Sequence, residues 1–134
     1  MPVYVLSVGS NIEPEKHTQD MLAVMASEQH LLHVSRWIRT QPDGYKEQPD
    51  FLNGAIVVES PLRPDEFKQY CRSLEERSGR LRNQRRDGPR TLDLDIIACD
   101  GCVIHSDYPQ KSYVRDPVDE VCAMAGIILE TDTN

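Results

Sequence analysis

The chain has 134 residues, of which 39% are hydrophobic and 28% charged, and a formal net charge of −7. These values predict one soluble globular domain over residues 1–134 and argue against disorder and against general nucleic-acid binding. The N-terminus lacks a signal-peptide pattern, no apolar run approaches the length of a membrane span, and the four cysteines come without a secretion signal. We therefore expect a cytoplasmic protein with reduced thiols and no membrane contact.

The first half of the chain contains three predicted strands and one helix. Short apolar runs rich in β-branched residues indicate the strands, and a helical spacing of methionine and aliphatic side chains indicates the helix. The predicted elements are a strand over residues 3–8, a turn at 9–11, a helix over about 14–28, a strand over 31–40, a polar loop over 41–49 and a strand over 51–59.

The second half opens with the best-defined helix. Pro64 begins it, acidic residues fill its first turn, apolar residues recur with helical spacing, and Gly79 ends it. Further along, Asp100 and Gly101 are typical of a two-residue hairpin turn. The other predicted elements are a loop to residue 89, a strand through Asp93 and Asp95, hairpin strands over 96–99 and 102–104, a loop at Tyr108 and Pro109, a short helix over 118–125 and a polar tail over 130–134.

The order of these elements is β-α-β-β-α-β with an added hairpin. This order predicts an α+β fold of the ferredoxin-like class, a sandwich in which an antiparallel sheet carries its helices on one face. No internal repeat, low-complexity segment or linker interrupts the sequence.

Two aspartates, Asp93 and Asp95, are separated by one apolar residue. In a strand both carboxylates project from one side, roughly 6.5–7 Å apart, while Leu92, Leu94 and Ile96 point into a core. A polar face on an edge strand is the ordinary explanation of such a pair. Two carboxylates on one face repel each other unless a cation joins them, so we favour metal binding by this pair.

Residues 77–90 hold six arginines and one aspartate, a local charge of +5 that leaves about −12 for the rest of the chain. A solvated charged surface is the ordinary explanation of a charge run. All the basic residues here are arginine, however, and the planar guanidinium suits phosphate oxygens better than an ammonium group does. Beside the two aspartates, this segment predicts a site for a magnesium–polyphosphate complex.

Two further patterns have competing interpretations. Cys99, Cys102 and His105 have the spacing of a small zinc motif, but the sequence offers no second ligand pair, so core thiols are the favoured interpretation. Phe51 and Asn53 share a face of a predicted strand and offer an aromatic plane and an amide to a flat heterocycle. A hydrophobic sheet face with one polar residue also explains that pair.

Four motifs, in their order and spacing, resemble the 6-hydroxymethyl-7,8-dihydropterin pyrophosphokinase family of the folate pathway. The most specific motif is RDGPRTLDLD over residues 86–95, and it is supported by VGSN at 8–11, RT at 39–40 and QPDFLN at 48–53. The resemblance implies a ferredoxin-like fold. It also implies magnesium-dependent transfer of the β,γ-pyrophosphoryl unit of ATP to the hydroxymethyl group of a dihydropterin, which leaves AMP.

The resemblance further implies a role for each candidate site residue. In the family, the two signature aspartates bind two magnesium ions, which bridge ATP oxygens, neutralise charge and lower the pKa of the attacking hydroxyl. The implied catalytic residues are Arg80, Arg82, Arg90, Asp93 and Asp95, the implied pterin contacts are Thr40, Phe51, Asn53 and Tyr113, and the implied ATP contacts are Arg72, Glu75, Arg86 and Lys111.

Three departures from the family pattern affect the ATP side of the site. Asp87 stands where the family has a tryptophan, Asn83 replaces a basic residue, and the segment after Ser106 is shorter. They motivate an alternative, a shortened paralogue that binds a pterin or similar heterocycle with impaired or altered ATP chemistry. A third hypothesis, an interaction module whose arginines contact an acidic partner, leaves the aspartate pair unexplained. The oligomeric state stays open.

Overall fold

A computed structural model describes residues 1–42, 47–79 and 91–131 of the chain. The described residues form six strands and four helices, and two of the helices follow the last strand. The elements are β1 (Val3–Ser10), α1 (Pro14–Glu28), β2 (His30–Val34), β3 (Ile38–Thr40), β4 (Phe51–Glu59), α2 (Pro64–Arg77), β5 (Asp93–Cys99), β6 (Cys102–Val103), α3 (Asp107–Gln110) and α4 (Ser112–Ala125).

The strands form one sheet in the order β2-β4-β1-β5-β6, and β3 also pairs with β4. The pairings between named strands are antiparallel. β1 is central because β4 lies on one side of it and β5 on the other. This topology confirms the predicted α+β, ferredoxin-like fold with an extra hairpin.

Each face of the sheet buries its own hydrophobic cluster. Because side chains alternate along a strand, Tyr4 and Leu6 of β1 point to one face while Val5 points to the other. The two helices of the predicted unit, α1 and α2, cover the first face, where the rings of Tyr4 and Phe67 stack with their centroids 4.1 Å apart. The C-terminal helix α4 adds a layer on the second face, through Val114, Val118, Val121 and Cys122.

Helix α2 begins and ends as the sequence predicts. Pro64 is its first residue, and the backbone N–H of Arg63 donates a hydrogen bond of 2.9 Å to the carboxylate of Glu66. After the last turn, Gly79 adopts a φ of 98°, a conformation that glycine accepts without steric cost. The position of α2 is thus fixed by local sequence at both ends.

The predicted strand over residues 31–40 is divided into β2 and β3. At the break, the N–H of Ser35 donates to the carbonyl of Ala55, and the N–H of Ala55 donates to the Ser35 hydroxyl, both at 2.9 Å. A side-chain oxygen therefore takes the place of a backbone carbonyl in the ladder. The ring of Trp37 then lies over Gly54, where a Cβ atom would come within 2.5 Å of the ring.

Strand β1 is longer than predicted, because it continues to Ser10 where a turn was expected from residue 9. Gly9 pairs with Asn53 on one side and with Asp93 on the other, so the ladder continues through the glycine. The predicted hairpin is present, and the φ angles of Asp100 (49°) and Gly101 (85°) are both positive, as its two-residue turn requires.

The C-terminal part differs more from the prediction. The expected loop at Tyr108 and Pro109 is the short helix α3, and α4 begins at Ser112 rather than at residue 118. Pro117 is inside α4 and buried against the sheet, so packing offsets the hydrogen bond that proline cannot donate. In the expected tail, the backbone carbonyl of Glu130 accepts a hydrogen bond of 2.9 Å from the N–H of Val103, so residue 130 extends the sheet beside β6.

Within the described ranges, no helix is long and apolar enough to cross a membrane.

Candidate active site

One cavity, of about 1050 Å³, lies where β5, β4 and α2 meet the segment from β6 to α4. Its walls include every predicted site residue that the structure describes. These residues are Thr40, Phe51, Asn53, Arg72, Glu75, Asp93, Asp95, Lys111 and Tyr113. The predicted contacts Arg80, Arg82, Arg86 and Arg90, together with Asn83 and Asp87, lie outside the described residues.

The aspartate strand has the alternation that its sequence predicts. Leu94 is buried in the cluster under α1 and α2, whereas Asp93 and Asp95 are half-buried and line the cavity. Across the ladder, Asp93 is opposite Gly9 and Asp95 is opposite Ser7. These small neighbours leave space above the sheet, so both carboxylates face a volume that a ligand can enter.

Between Asp93 and Asp95, the outer edge of β5 is hydrogen-bonded to helix α2. In the described chain, the pairing of β6 covers Ala98 and Cys99 of β5, which lie beyond the two aspartates. The N–H of Leu94 instead donates a hydrogen bond of 2.8 Å to the Glu75 carboxylate of α2. A charged acceptor from α2 therefore fixes the backbone between the two aspartates.

The donor set at the aspartate pair suits a hard divalent cation. Carboxylate oxygens are the ligands that Mg²⁺ prefers, and Mg²⁺ commonly takes one or two protein carboxylates together with substrate phosphates. Among the described residues there is no cluster of three or more His, Cys, Asp or Glu side chains that could hold a metal. The pair therefore fits a cation that is shared with a phosphate ligand better than it fits a cation held in an all-protein cage.

Ser78 and Thr91, which lie on either side of residues 80–90, are held together beside β5. The hydroxyls of Ser78, at the end of α2, and Thr91, just before β5, are 2.9 Å apart. The buried Ser10 hydroxyl donates to the Thr91 carbonyl at 2.6 Å. These bonds tie the last turn of α2, the end of β1 and the start of the aspartate strand together at one point.

At the other end of the cavity, polar groups of β3 and β4 are joined. The side-chain amide of Asn53 donates to the Thr40 hydroxyl, and this leaves the amide oxygen of Asn53 directed toward Gly9. A Cβ atom at Gly9 would lie 3.2 Å from that oxygen and 3.7 Å from the Phe51 ring. Glycine at this position therefore keeps the space around the amide and the ring open.

The approach to this end is shaped by the loop before β4. The Asn11 amide donates to Gln48 Oε1 at 2.8 Å and to the Pro49 carbonyl at 3.0 Å. Lys111 and Tyr113 also line the cavity, and Lys111 Nζ lies 5.8 Å from the centroid of the Tyr113 ring. Three of the four motifs singled out in the sequence therefore meet here around aromatic and amide groups.

Helix α2 presents a mixed wall of acidic, basic and thiol groups. Burial, with smaller contributions from Glu75 and Asp95, raises the pKa of the Cys71 thiol to about 12. This thiol is consequently protonated at neutral pH and has the character of a core group rather than of a nucleophile. Lys68 and Arg72, one helical turn apart, line the same cavity.

Lys68 and His105 line the cavity and are among the lining residues that sequence reasoning did not assign to the site. The helical period would have found Lys68, because it precedes Arg72 by four residues. The hairpin register would have found His105. Cys99 pairs with Cys102, and the N–H of Ile104 donates to the carbonyl of Ile97 at 2.8 Å, so the next residue falls beside the aspartate strand.

Comparison with known proteins agrees with this geometry. A family model described as 7,8-dihydro-6-hydroxymethylpterin-pyrophosphokinase matches residues 5–123. The 2-amino-4-hydroxy-6-hydroxymethyldihydropteridine pyrophosphokinase of Bacillus subtilis is 33% identical over 129 residues, which cover 87% of this chain and 76% of that protein. The protein of the same name from Haemophilus influenzae is 30% identical over 129 residues, which cover 88% and 80%.

A longer relative contains a similar region. The folic acid synthesis protein fol1 of Schizosaccharomyces pombe is 36% identical over 105 residues, which cover 76% of this chain but only 14% of that protein. The family model covers most of the described sheet and helices, including all four motifs and both aspartates of β5. The chain therefore belongs to the 7,8-dihydro-6-hydroxymethylpterin-pyrophosphokinase family.

Proposed function

We propose that the cavity is where the chain carries out the reaction of its family, the transfer of pyrophosphate from ATP to 6-hydroxymethyl-7,8-dihydropterin in folate biosynthesis. One observation carries this proposal. The same cavity joins a carboxylate pair suited to a metal–phosphate complex to an aromatic and amide site suited to a flat heterocycle. A transfer enzyme needs both substrates in one enclosed space, since its main task is to hold the reacting atoms in line.

At the phosphate end, Asp93 and Asp95 would hold magnesium, with two ions expected when ATP is present. When bound, magnesium supplies charge neutralisation on the phosphate oxygens and acidifies the attacking hydroxyl. The cations Arg72 and Lys111 line the same cavity and would balance phosphate charge. The same role is proposed for Arg80, Arg82, Arg86 and Arg90.

At the pterin end, Asn53 and Thr40 would read the polar edge of the ring. The Asn53 amide oxygen can accept a hydrogen bond from a ring amine, and the Thr40 hydroxyl, which accepts from Asn53, still has its own proton to donate. Phe51 and Tyr113 line the cavity and would form the two aromatic walls of the ring site.

The reaction balances without a base from the protein. The hydroxymethyl oxygen of the pterin attacks the β-phosphorus, the bond from the β-phosphorus to the α,β-bridging oxygen breaks, and AMP leaves with that oxygen. The hydroxyl proton passes to solvent. The chain's contribution is to orient both substrates and to compensate the charge of the phosphates.

The direct test is to incubate the chain with ATP, Mg²⁺ and the dihydropterin alcohol and to measure AMP. We expect AMP and a diphosphorylated pterin in equal amounts. Asp95→Asn keeps the shape of the side chain but removes its charge, so we expect a fall in rate of about 100-fold or more. The matched control is Asp20→Asn on the exposed side of α1, which should act like the wild type.

A second candidate function is pterin binding with impaired or altered ATP chemistry. Two departures from the family pattern favour it, since Asp87 stands where the family has a tryptophan and Asn83 replaces a basic residue. No AMP, together with pterin binding that Asn53→Ala abolishes, would support this alternative. If neither substrate binds, both functions are wrong.

A further inference from the structure

His105 follows β6 and returns the chain to the aspartate strand. Its imidazole Nε2 lies 3.7 Å from Asp95 Oδ1, and the two side chains are 31% and 41% exposed. The backbone carries the histidine there, because the N–H of Ile104 is bonded to the carbonyl of Ile97 on β5. The contact therefore follows from the hairpin register and not from a chance meeting of two surface side chains.

The other side of the imidazole is held by the backbone. The N–H of Asp107 donates a hydrogen bond of 3.1 Å to His105 Nδ1, at the start of α3. A nitrogen that accepts a hydrogen bond carries no proton, so in the neutral ring the proton is on Nε2. The start of α3 thus fixes which nitrogen is the donor, and the ring directs that donor toward Asp95.

We propose that His105 is a positioning residue, which orients the Asp95 carboxylate through its Nε2–H so that the other carboxylate oxygen faces the cation. This inference rests on the proposed function of Asp95 as a metal ligand. At 3.7 Å the pair is within ion-pair distance but just beyond hydrogen-bonding distance, so the proposed role requires the two atoms to approach further when the cation binds. Metal-binding carboxylates in proteins are themselves held by such donors, and loss of the donor typically weakens metal binding or activity by 10- to 100-fold.

His105 lies next to Asp95 on a part of β5 that β6 does not reach in the described pairing, and the ladder neighbour of Asp95 is the small residue Ser7. His105 approaches Asp95 from the side of the β6–α3 connection. A zinc role for His105 with Cys99 and Cys102 has no support, since the described residues contain no cluster of three such ligands.

The test uses Mn²⁺ with α,β-methylene-ATP, a nucleotide that cannot be cleaved at the bond broken in the reaction. Binding of Mn²⁺ to the full chain is followed by its electron paramagnetic resonance signal, so the readout does not need turnover. We expect His105→Ala to weaken Mn²⁺ binding by about 10- to 100-fold. In the AMP assay, the same variant should raise the Mg²⁺ concentration that gives half-maximal rate and leave the KM of the pterin unchanged.

Two conservative variants separate positioning from general support of the fold. The amide nitrogen of glutamine in His105→Gln can reach the place of Nε2, so this variant should recover most of the Mn²⁺ affinity. The amide of asparagine in His105→Asn reaches only the place of Nδ1 and should bind Mn²⁺ as weakly as the alanine variant does. His30→Ala, an exposed histidine paired with Glu59 at the far end of the sheet, should match the wild type.

Wild-type Mn²⁺ affinity in His105→Ala would overturn the inference, and so would a glutamine variant that recovers no affinity. Failure of the proposed function gives a different result, because the wild type itself would then form no AMP and bind no Mn²⁺ with the nucleotide. Thermal unfolding of each variant close to that of the wild type shows that the changes concern the site and not the fold.

Discussion

The backbone N–H of Leu94 donates a hydrogen bond of 2.8 Å to Glu75 Oε2, so helix α2 is bonded to β5 between the two aspartates of the site. Leu94 is buried under the same helix, and the carboxylate of Glu75 is half-buried. This bond fixes the separation between the wall formed by α2 and the carboxylates of Asp93 and Asp95. The nucleotide side of the cavity is therefore built on one helix–strand contact.

Removal of the Glu75 carboxylate should destabilise the fold. We expect Glu75→Ala to lower the free energy of unfolding by about 1–3 kcal/mol, because a partly buried N–H loses a charged acceptor. Glu75→Gln keeps an acceptor oxygen and should cost clearly less, which separates the hydrogen bond from the charge. Urea unfolding at neutral pH measures both variants. Equal stability of Glu75→Ala and the wild type would contradict the structural role of this bond.

Gly9→Ala should impair the pterin site and spare the nucleotide site. The new Cβ atom would lie 3.2 Å from Asn53 Oδ1, so the amide has to shift by a few tenths of an ångström. We expect the KM of the pterin to rise roughly tenfold, which corresponds to about 1.4 kcal/mol of binding free energy. The KM of ATP should stay within about twofold. Steady-state kinetics with each substrate varied in turn gives both values, and an unchanged pterin KM would show that the amide does not contact the ring.

Gly54→Ala should destabilise the protein, because its new Cβ atom would clash with a side chain on the face of the sheet opposite to that of the Gly9→Ala change. A Cβ atom at residue 54 would meet the Trp37 ring at 2.5 Å, on the face of the sheet away from the aspartates. Overpacking of this kind costs typically about 1–3 kcal/mol. Urea unfolding followed by far-UV circular dichroism measures every variant, including one that lacks Trp37, the single tryptophan of the chain. A double variant with Trp37→Leu should recover part of the loss, and a loss that persists in full would show that the ring is not its cause.

The buried thiol of Cys71 should make stability fall at alkaline pH. Burial raises its pKa from 9.0 to about 12, so the folded state keeps a proton that the unfolded state releases. This contribution to stability is complete below about pH 9 and is lost as the pH rises toward 12. The free energy of unfolding should therefore decrease less between about pH 8 and about pH 10.5 in Cys71→Ala than in the wild type, by on the order of 2 kcal/mol.

The matched control for this pH dependence is Cys102→Ala. Cys102 is exposed, in contrast to the buried Cys71, so its removal should leave the alkaline decrease unchanged. An equal decrease in all three proteins would mean that the Cys71 thiol does not contribute to it.

Elements with local signals could be predicted from the sequence. Helix α2 has Pro64 at its start and Gly79 after its end, and the hairpin needs the positive φ angles that Asp100 and Gly101 adopt. The elements whose observed bounds differ from the predicted ones are determined by contacts with residues far away in the sequence. Strand β2 ends because Ser35 bonds to Ala55, twenty residues later, and no local pattern contains that information.

The same distinction applies to the site. Alternation along β5 predicted that Asp93 and Asp95 share a face, and the structure has both in the wall of one cavity. Two other contacts of the site depend on strand register, namely the bond between Thr40 and Asn53 and the approach of His105 to Asp95. Register is set by the pairing of strands that are distant in the sequence, so no local pattern predicts these contacts.

The most direct test of the account is a crystal structure of the chain with Mn²⁺, α,β-methylene-ATP and the dihydropterin alcohol, with anomalous scattering used to locate the metal. We predict anomalous peaks bonded to carboxylate oxygens of both Asp93 and Asp95, with the pterin hydroxyl in line with the β-phosphorus. Nucleotide and pterin bound elsewhere, or a metal that contacts neither aspartate, would contradict it.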